Sequence, residues 1–167
     1  MTEDMIKKAI KFATIKHEGQ FRKVSGLPYI THPLEVYQLV SQYKTSKKLV
    51  ELQVAAICHD LLQDTDTTFI ELASEFSPLV ASLVLELTSC SEQIKLFSKV
   101  DYLKRKMVGM SNYGLYVKLC DRLSNIKDHP TKKAIESTKE ILDFLKENRQ
   151  LSNSQLRVIT EIEKYLL

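Results

Sequence analysis

The stretch VAAICHDLL, residues 54–62, decides how the rest of the chain is read. Five apolar residues with no alternation run straight into His59 and Asp60, and leucines follow at once. A segment apolar on every side reads as a buried helix rather than a surface one. A carboxylate at its end is costly to bury unless something pairs with it. A shared metal ion would satisfy both side chains. Neighbours on a continuous helix point about 100° apart, but they converge where the helix frays.

Working outward, the same helical signal recurs. Residues 3–18 place Ile6, Ala9, Ile10 and Ala13 on one face, with Thr2, Glu3 and Asp4 suited to a helix start. Gly19, Ser25, Gly26 and Pro28 mark residues 19–31 as a loop. Pro33 then fits the first turn of a second helix that runs to about Tyr43. A third helix is expected over roughly 46–61, and Asp64–Thr67 is read as a short loop. Thr68 and Glu71 have capping-box spacing for a fourth helix, and Ser77-Pro78 opens a fifth. Residues 88–94 are polar and are read as loop, and helices follow near 95–108, 114–127, 132–147 and 153–166.

With only four Gly and four Pro in 167 residues, frequent turns of the kind a β-sandwich needs are missing. The expected fold is all-α, a bundle of about eight or nine helices. No repeat or linker interrupts it, so residues 1–167 are read as one domain.

Charge and composition narrow the partners. The net charge is +3 with Lys and Glu interspersed, which argues against nucleic acid as the main partner. No run approaches the ~20 apolar residues of a membrane span. The start, MTEDMIKKAIKFA, is amphipathic and carries acids, unlike a signal peptide. Three cysteines without a CxxC suit a reducing compartment, so a cytoplasmic protein is expected, of unspecified oligomeric state.

The chemistry-bearing residues are few. The four histidines are His17, His32, His59 and His129. His32 stands at the entry to the second helix, and Asp121 lies in the apolar setting VKLCDRLSNI. Two His and two Asp form a mixed nitrogen and oxygen set that suits Mn, Fe or Zn and leaves positions for water and substrate. Each residue also has a local explanation. His59-Asp60 can cap or pair, Asp121 can pair with Arg122 or Lys118, and His32 can cap beside Pro33. Cys58 and Cys120 are read as buried hydrophobes. His17 is read as capping helix one or orienting the loop after it, Tyr29 as packing the loop before His32, and Lys132-Lys133 as a solvated helix face.

Three segments, HEGQFRKVSGLPYITHPLEV (17–36), AAICHDLLQDTDTT (55–68) and VKLCDRLSNI (117–126), resemble in order the three motifs of the HD hydrolase domain. The resemblance is closest to the Rel/Spo-type alarmone hydrolases and their small single-domain relatives. It implies that His32, His59, Asp60 and Asp121 hold one divalent metal, usually Mn²⁺, and that the substrate is a small phosphorylated nucleotide. It implies that Arg22, Lys23, Lys95 and Asn125 contact that substrate, with Lys95 placed in a loop. The implied reaction is removal of the 3′-pyrophosphate from a (p)ppGpp-like nucleotide, and some small relatives act on NADPH. The synthetase domain of long bifunctional members is not expected in a chain of this length.

The family's H-D-x-x-E-D reads H-D-L-L-Q-D here, so Gln63 replaces a Glu while Asp64 is kept. Gln cannot take up a proton near pH 7. Asp64 and Gln63 are therefore the candidate catalytic pair, with three readings open. One is a slower or retuned hydrolase, one a silent nucleotide-binding module, and one a substitution made to trap substrate.

Overall fold

The structure is a computed structural model that describes residues 2–167. It divides into two compact units, Met1–Thr88 and Ser89–Leu167. Among the described residues there are eleven α-helices and no strand. Nine helices have seven residues or more; the two short ones are Leu61–Asp64 and Ser91–Leu96. The all-α expectation holds.

The first unit contains α1 (Thr2–Lys16), α2 (Thr31–Tyr43), α3 (Leu49–Cys58), α4 (Leu61–Asp64), α5 (Phe69–Glu75) and α6 (Pro78–Leu87). Its centre is α3, which packs against α1, α2 and α6. That position follows from its composition. Leu52, Val54, Ala55, Ala56, Ile57 and Cys58 are all fully buried, a run that no solvent-facing helix would carry. From α1 the small residues Ala9 and Ala13 are the buried ones, and α2 buries Val36, Leu39 and Val40. Thr68 and Glu71 form the expected capping box, and Ser77 caps α6 with Pro78 at its start.

The loop between α1 and α2 is a small hairpin. Phe21 and Pro28 form an isolated antiparallel bridge, and the Arg22 N–H donates to the Leu27 carbonyl at 2.8 Å. Gly26 at φ 69° and Gly19 at φ 78° take the left-handed turns, a region a β-carbon disfavours.

The second unit contains α7 (Ser91–Leu96), α8 (Lys99–Gly109), α9 (Asn112–Lys127), α10 (Lys132–Asn148) and α11 (Asn153–Glu163). Here α9 packs on α11, and α8 packs on both α10 and α7. Ser98, Ser111, Thr131 and Ser152 cap the last four helices through their hydroxyls. The Arg149 guanidinium donates to the carbonyls of Met107, Val108 and Met110 at the end of α8, where a cation offsets exposed carbonyl dipoles.

Two expectations need correction. Residues 88–94 are not all loop, because α7 starts at Ser91. Lys95 accordingly sits in the last turn of α7, not in a loop. This helix buries no residue, so it carries no apolar stripe to announce it.

Candidate metal centre and its surroundings

In the first unit, α3 stops at Cys58 and α4 starts at Leu61. His59 and Asp60 occupy the break, and their side chains converge instead of diverging by a third of a turn. His59 Nε2 lies 2.9 Å from Asp60 Oδ2, and His32 Nε2 lies 3.8 Å from the same oxygen. Both histidines are 3% exposed. Their rings meet edge to face at 5.1 Å. His32 reaches this point because Thr31 starts α2, which presents the imidazole from the helix's first turn.

Proton bookkeeping at His59 shows what the cluster suits. His59 Nδ1 lies 2.7 Å from the Ala56 carbonyl. A carbonyl only accepts, so Nδ1 carries the hydrogen. In a neutral ring Nε2 then presents a lone pair to a carboxylate oxygen. Two acceptors at that distance repel unless a second proton or a cation lies between them. A backbone carbonyl fixing the remote nitrogen is also the usual support for a metal-ligating imidazole. The donor set of two imidazoles and a carboxylate therefore fits a divalent transition metal.

Tyr29 completes the cluster. Its hydroxyl donates to Asp60 Oδ2 at 2.5 Å, and its ring packs on His17 and His32. The packing was legible in sequence; the bond to Asp60 was not. His17 does orient the loop, because its Nδ1 bonds Gln20 Oε1 at 2.7 Å. Gln20 Nε2 in turn donates to the Asp64 carbonyl at 2.9 Å.

Gln63 and Asp64 lie on the exposed side of α4. Partial burial holds the Asp64 carboxyl above the usual carboxylate range, and the charge of Asp60 adds to this. His17, His59 and His32 pull in the opposite direction. The Arg22 guanidinium lies 3.7 Å from Glu35, and Lys23 is exposed on the hairpin. Burial pushes the Cys58 thiol up to about 12, and the Cys120 thiol also rises on burial. Both are protonated, as the hydrophobe reading requires.

In the second unit, Asp121 is 6% exposed on α9. Lys118 donates to its Oδ2 at 2.7 Å, and Asn125 donates to its Oδ1 at 2.9 Å. All three share a helix face because they lie three and four residues apart. Lys118 is bonded to Asp121, one of the two pairings the sequence allows, and the Asp121 charge also acts on Arg122.

The same unit holds a cavity of about 280 Å³ that sequence reasoning missed. Lys99, Arg122 and Lys133 line it together with the hydroxyl residues Thr131 and Ser137, over a floor including Val100 and Ile141. Among the described residues no carboxylate lines it. Lys133 is exposed, as a solvated helix face requires, and it also borders this cavity. Lys95 does not line it.

A helix broken at a His-Asp pair, within an all-helical chain, points to the class. The family model described as HD domain matches residues 9–144, and the chain belongs to that family. Among curated relatives, the guanosine-3′,5′-bis(diphosphate) 3′-pyrophosphohydrolase of Aquifex aeolicus is 35% identical over 81% of this chain. The mouse protein of the same name, MESH1, is 37% identical over 72% of it. The chain spans 20% of the Aquifex protein and 66% of the mouse one. The first-matched relative, from Spiroplasma citri and with the same name, is 36% identical over 73% of this chain, which spans 16% of it. A solved structure described as "A metazoan ortholog of SpoT hydrolyzes ppGpp and plays a role in starvation responses" superposes with a TM-score of 0.78. It is 24% identical, over 98% of this chain and 97% of that one, a likeness of fold.

Proposed function

We propose that the chain is a divalent-metal-dependent hydrolase that removes the 3′-pyrophosphate of a (p)ppGpp-like nucleotide. The observation that carries this reading is the convergence of His32 and His59 on one oxygen of Asp60 at a helix break. The shared name of relatives 35–37% identical supports the substrate class.

In this reading His32, His59, Asp60 and Asp121 hold the ion, with Mn²⁺ the favoured metal. Asp121 is assigned from its motif, KLCDRLSN. When bound, the ion supplies Lewis-acid polarisation of a phosphoryl oxygen and lowers the pKa of water. The chain's own residues do the rest. Asp64, whose carboxylate is made more basic by partial burial, takes a proton from the attacking water. Gln63 orients that water through its amide but accepts no proton. Arg22, Lys23, Lys95 and Asn125 hold the nucleotide.

The test is Mn²⁺-supplemented turnover of ppGpp and of NADPH by the chain, by Gln63→Glu and by Asp64→Asn. Release of pyrophosphate from ppGpp, lost in Asp64→Asn, is the expected result. Activity appearing only in Gln63→Glu would make the chain a silent nucleotide binder. Metal binding with no ppGpp turnover in either form would overturn the substrate assignment.

A further inference from the structure

Three atoms face a single oxygen, Asp60 Oδ2: Tyr29 Oη at 2.5 Å, His59 Nε2 at 2.9 Å and His32 Nε2 at 3.8 Å. Only the phenol is bound to be a donor at neutral pH. An O–H donated to a carboxylate at this length belongs to the strong, charge-assisted class. The Asp60 side chain is 21% exposed and stands between the two flanking helices.

Tyr29 is half-buried and held by backbone bonds and ring contacts. Its N–H donates to the Gln20 carbonyl at 2.8 Å, and its carbonyl accepts from the His32 N–H at 3.0 Å. Its ring lies 4.9 Å from the His17 ring and 5.9 Å from the His32 ring. His17 is itself set. Gln20 spends its amide N–H on the Asp64 carbonyl, so its oxygen faces His17 Nδ1, which carries the hydrogen. The phenol is thus held by backbone and ring contacts on the side away from Asp60.

We propose that Tyr29 is a positioning residue for the metal: its hydroxyl fixes the Asp60 carboxylate in the orientation that meets the ion beside His32 and His59. The inference rests on the metal reading above and adds a residue to it. It links the hairpin after α1 to the centre. The left-handed turn at Gly26 returns the chain to Tyr29, so the hairpin sets the geometry of a ligand that lies 31 residues further on.

Tyr29→Phe isolates the hydroxyl, because the ring keeps its contacts with His17 and His32. The metal-free full chain and this variant are titrated with Mn²⁺, and free ion is followed by electron paramagnetic resonance. Thermal unfolding is measured in parallel without metal, and Co²⁺ absorption spectra are recorded for both. The expected result is a ~10–100-fold weaker Mn²⁺ affinity, the loss typical when a ligand's supporting hydrogen bond is removed. The Co²⁺ bands shift, while the metal-free melting point falls by no more than about 4 °C, the change expected for one hydrogen bond in a chain of this size. Equal Mn²⁺ affinity in both proteins overturns the inference and leaves the metal reading standing. A larger collapse of the metal-free fold overturns it too, since the hydroxyl is then structural. Absence of Mn²⁺ binding by the unmodified chain overturns the metal reading and the inference with it.

Discussion

The two units gather polar groups by opposite means. In Met1–Thr88, His59 and Asp60 meet because a helix stops between Cys58 and Leu61. In Ser89–Leu167, Lys118, Asp121 and Asn125 meet because α9 continues without a break. A continuous helix pairs residues three and four apart and keeps sequence neighbours separate. Only a break lets neighbours share an atom. The first arrangement leaves a carboxylate facing two imidazoles, which invites a cation. The second holds a carboxylate in a set orientation through Lys118 and Asn125, as a hydrogen-bonded ligand is held.

The sharpest way to test that contrast is to remove His59. His59→Ala deletes a nitrogen donor at the break and should weaken Mn²⁺ binding by more than ~100-fold, beyond the usual loss for a supporting residue. Calorimetric titration of the metal-free chain measures it. Unchanged affinity would mean that the break is a structural salt bridge and not a metal centre.

Core truncations test whether the two arrangements rest on equally firm packing. Ile57 on α3 and Leu119 on α9 are both fully buried. Ile57→Ala and Leu119→Ala should each lower unfolding free energy by about 2–5 kcal/mol in denaturant titrations. Ile57 lies two residues before His59, so its loss should also weaken Mn²⁺ binding. A Leu119→Ala chain that loses no stability would show that the continuous helix is not anchored by its apolar face.

These elements differ in how far sequence discloses them. The Thr68–Glu71 box and the Ser77-Pro78 start are local patterns that appear as read, whereas the third helix, read over roughly 46–61, runs Leu49–Cys58 and breaks before α4. At His59-Asp60 the sequence allowed convergence, but a cap or a local salt bridge fitted the pair as well. What escaped is tertiary. The Tyr29–Asp60 bond joins residues 31 apart, and no spacing rule connects a phenol in a loop to a carboxylate at a helix end. The cavity around Arg122 needs side chains from α8, α9, α10 and the turn before α10. Lys95 was placed in a loop because α7, with no buried residue, leaves no periodic trace.

Lys118 offers a smaller test, confined to the continuous helix. Lys118→Met keeps the aliphatic stem and removes the cation that bonds the buried Asp121 carboxylate. A buried acceptor left short of a donor costs about 1–3 kcal/mol. That loss should appear in denaturant titrations of the metal-free chain and shrink when Asp121→Asn is added. Equal losses with and without Asp121→Asn would show that Lys118 acts through its stem.

The smallest effect is expected at Asp64, where the break meets solvent. Its carboxyl is raised first by partial burial and then by the Asp60 charge, so the folded chain holds the proton to higher pH than the unfolded chain does. The sign follows from linkage: the folded form binds more protons in that window. Its contribution to stability is fully present below the ordinary carboxylate pKa and is lost as pH rises through the raised one. Asp64→Asn removes this titration, so the variant's stability should fall less than that of the unmodified chain over the same rise in pH. The difference should be well under about 1 kcal/mol, because water screens an exposed side chain. Denaturant midpoints of both chains, measured in chelator from pH 4 upward, would read it. Asp60→Asn should reduce the effect without abolishing it, since burial, the larger cause, remains. Abolition by Asp60→Asn would mean that the two carboxylates titrate as a pair, and would tie Asp64 electrostatically to the oxygen on which the two histidines and Tyr29 converge.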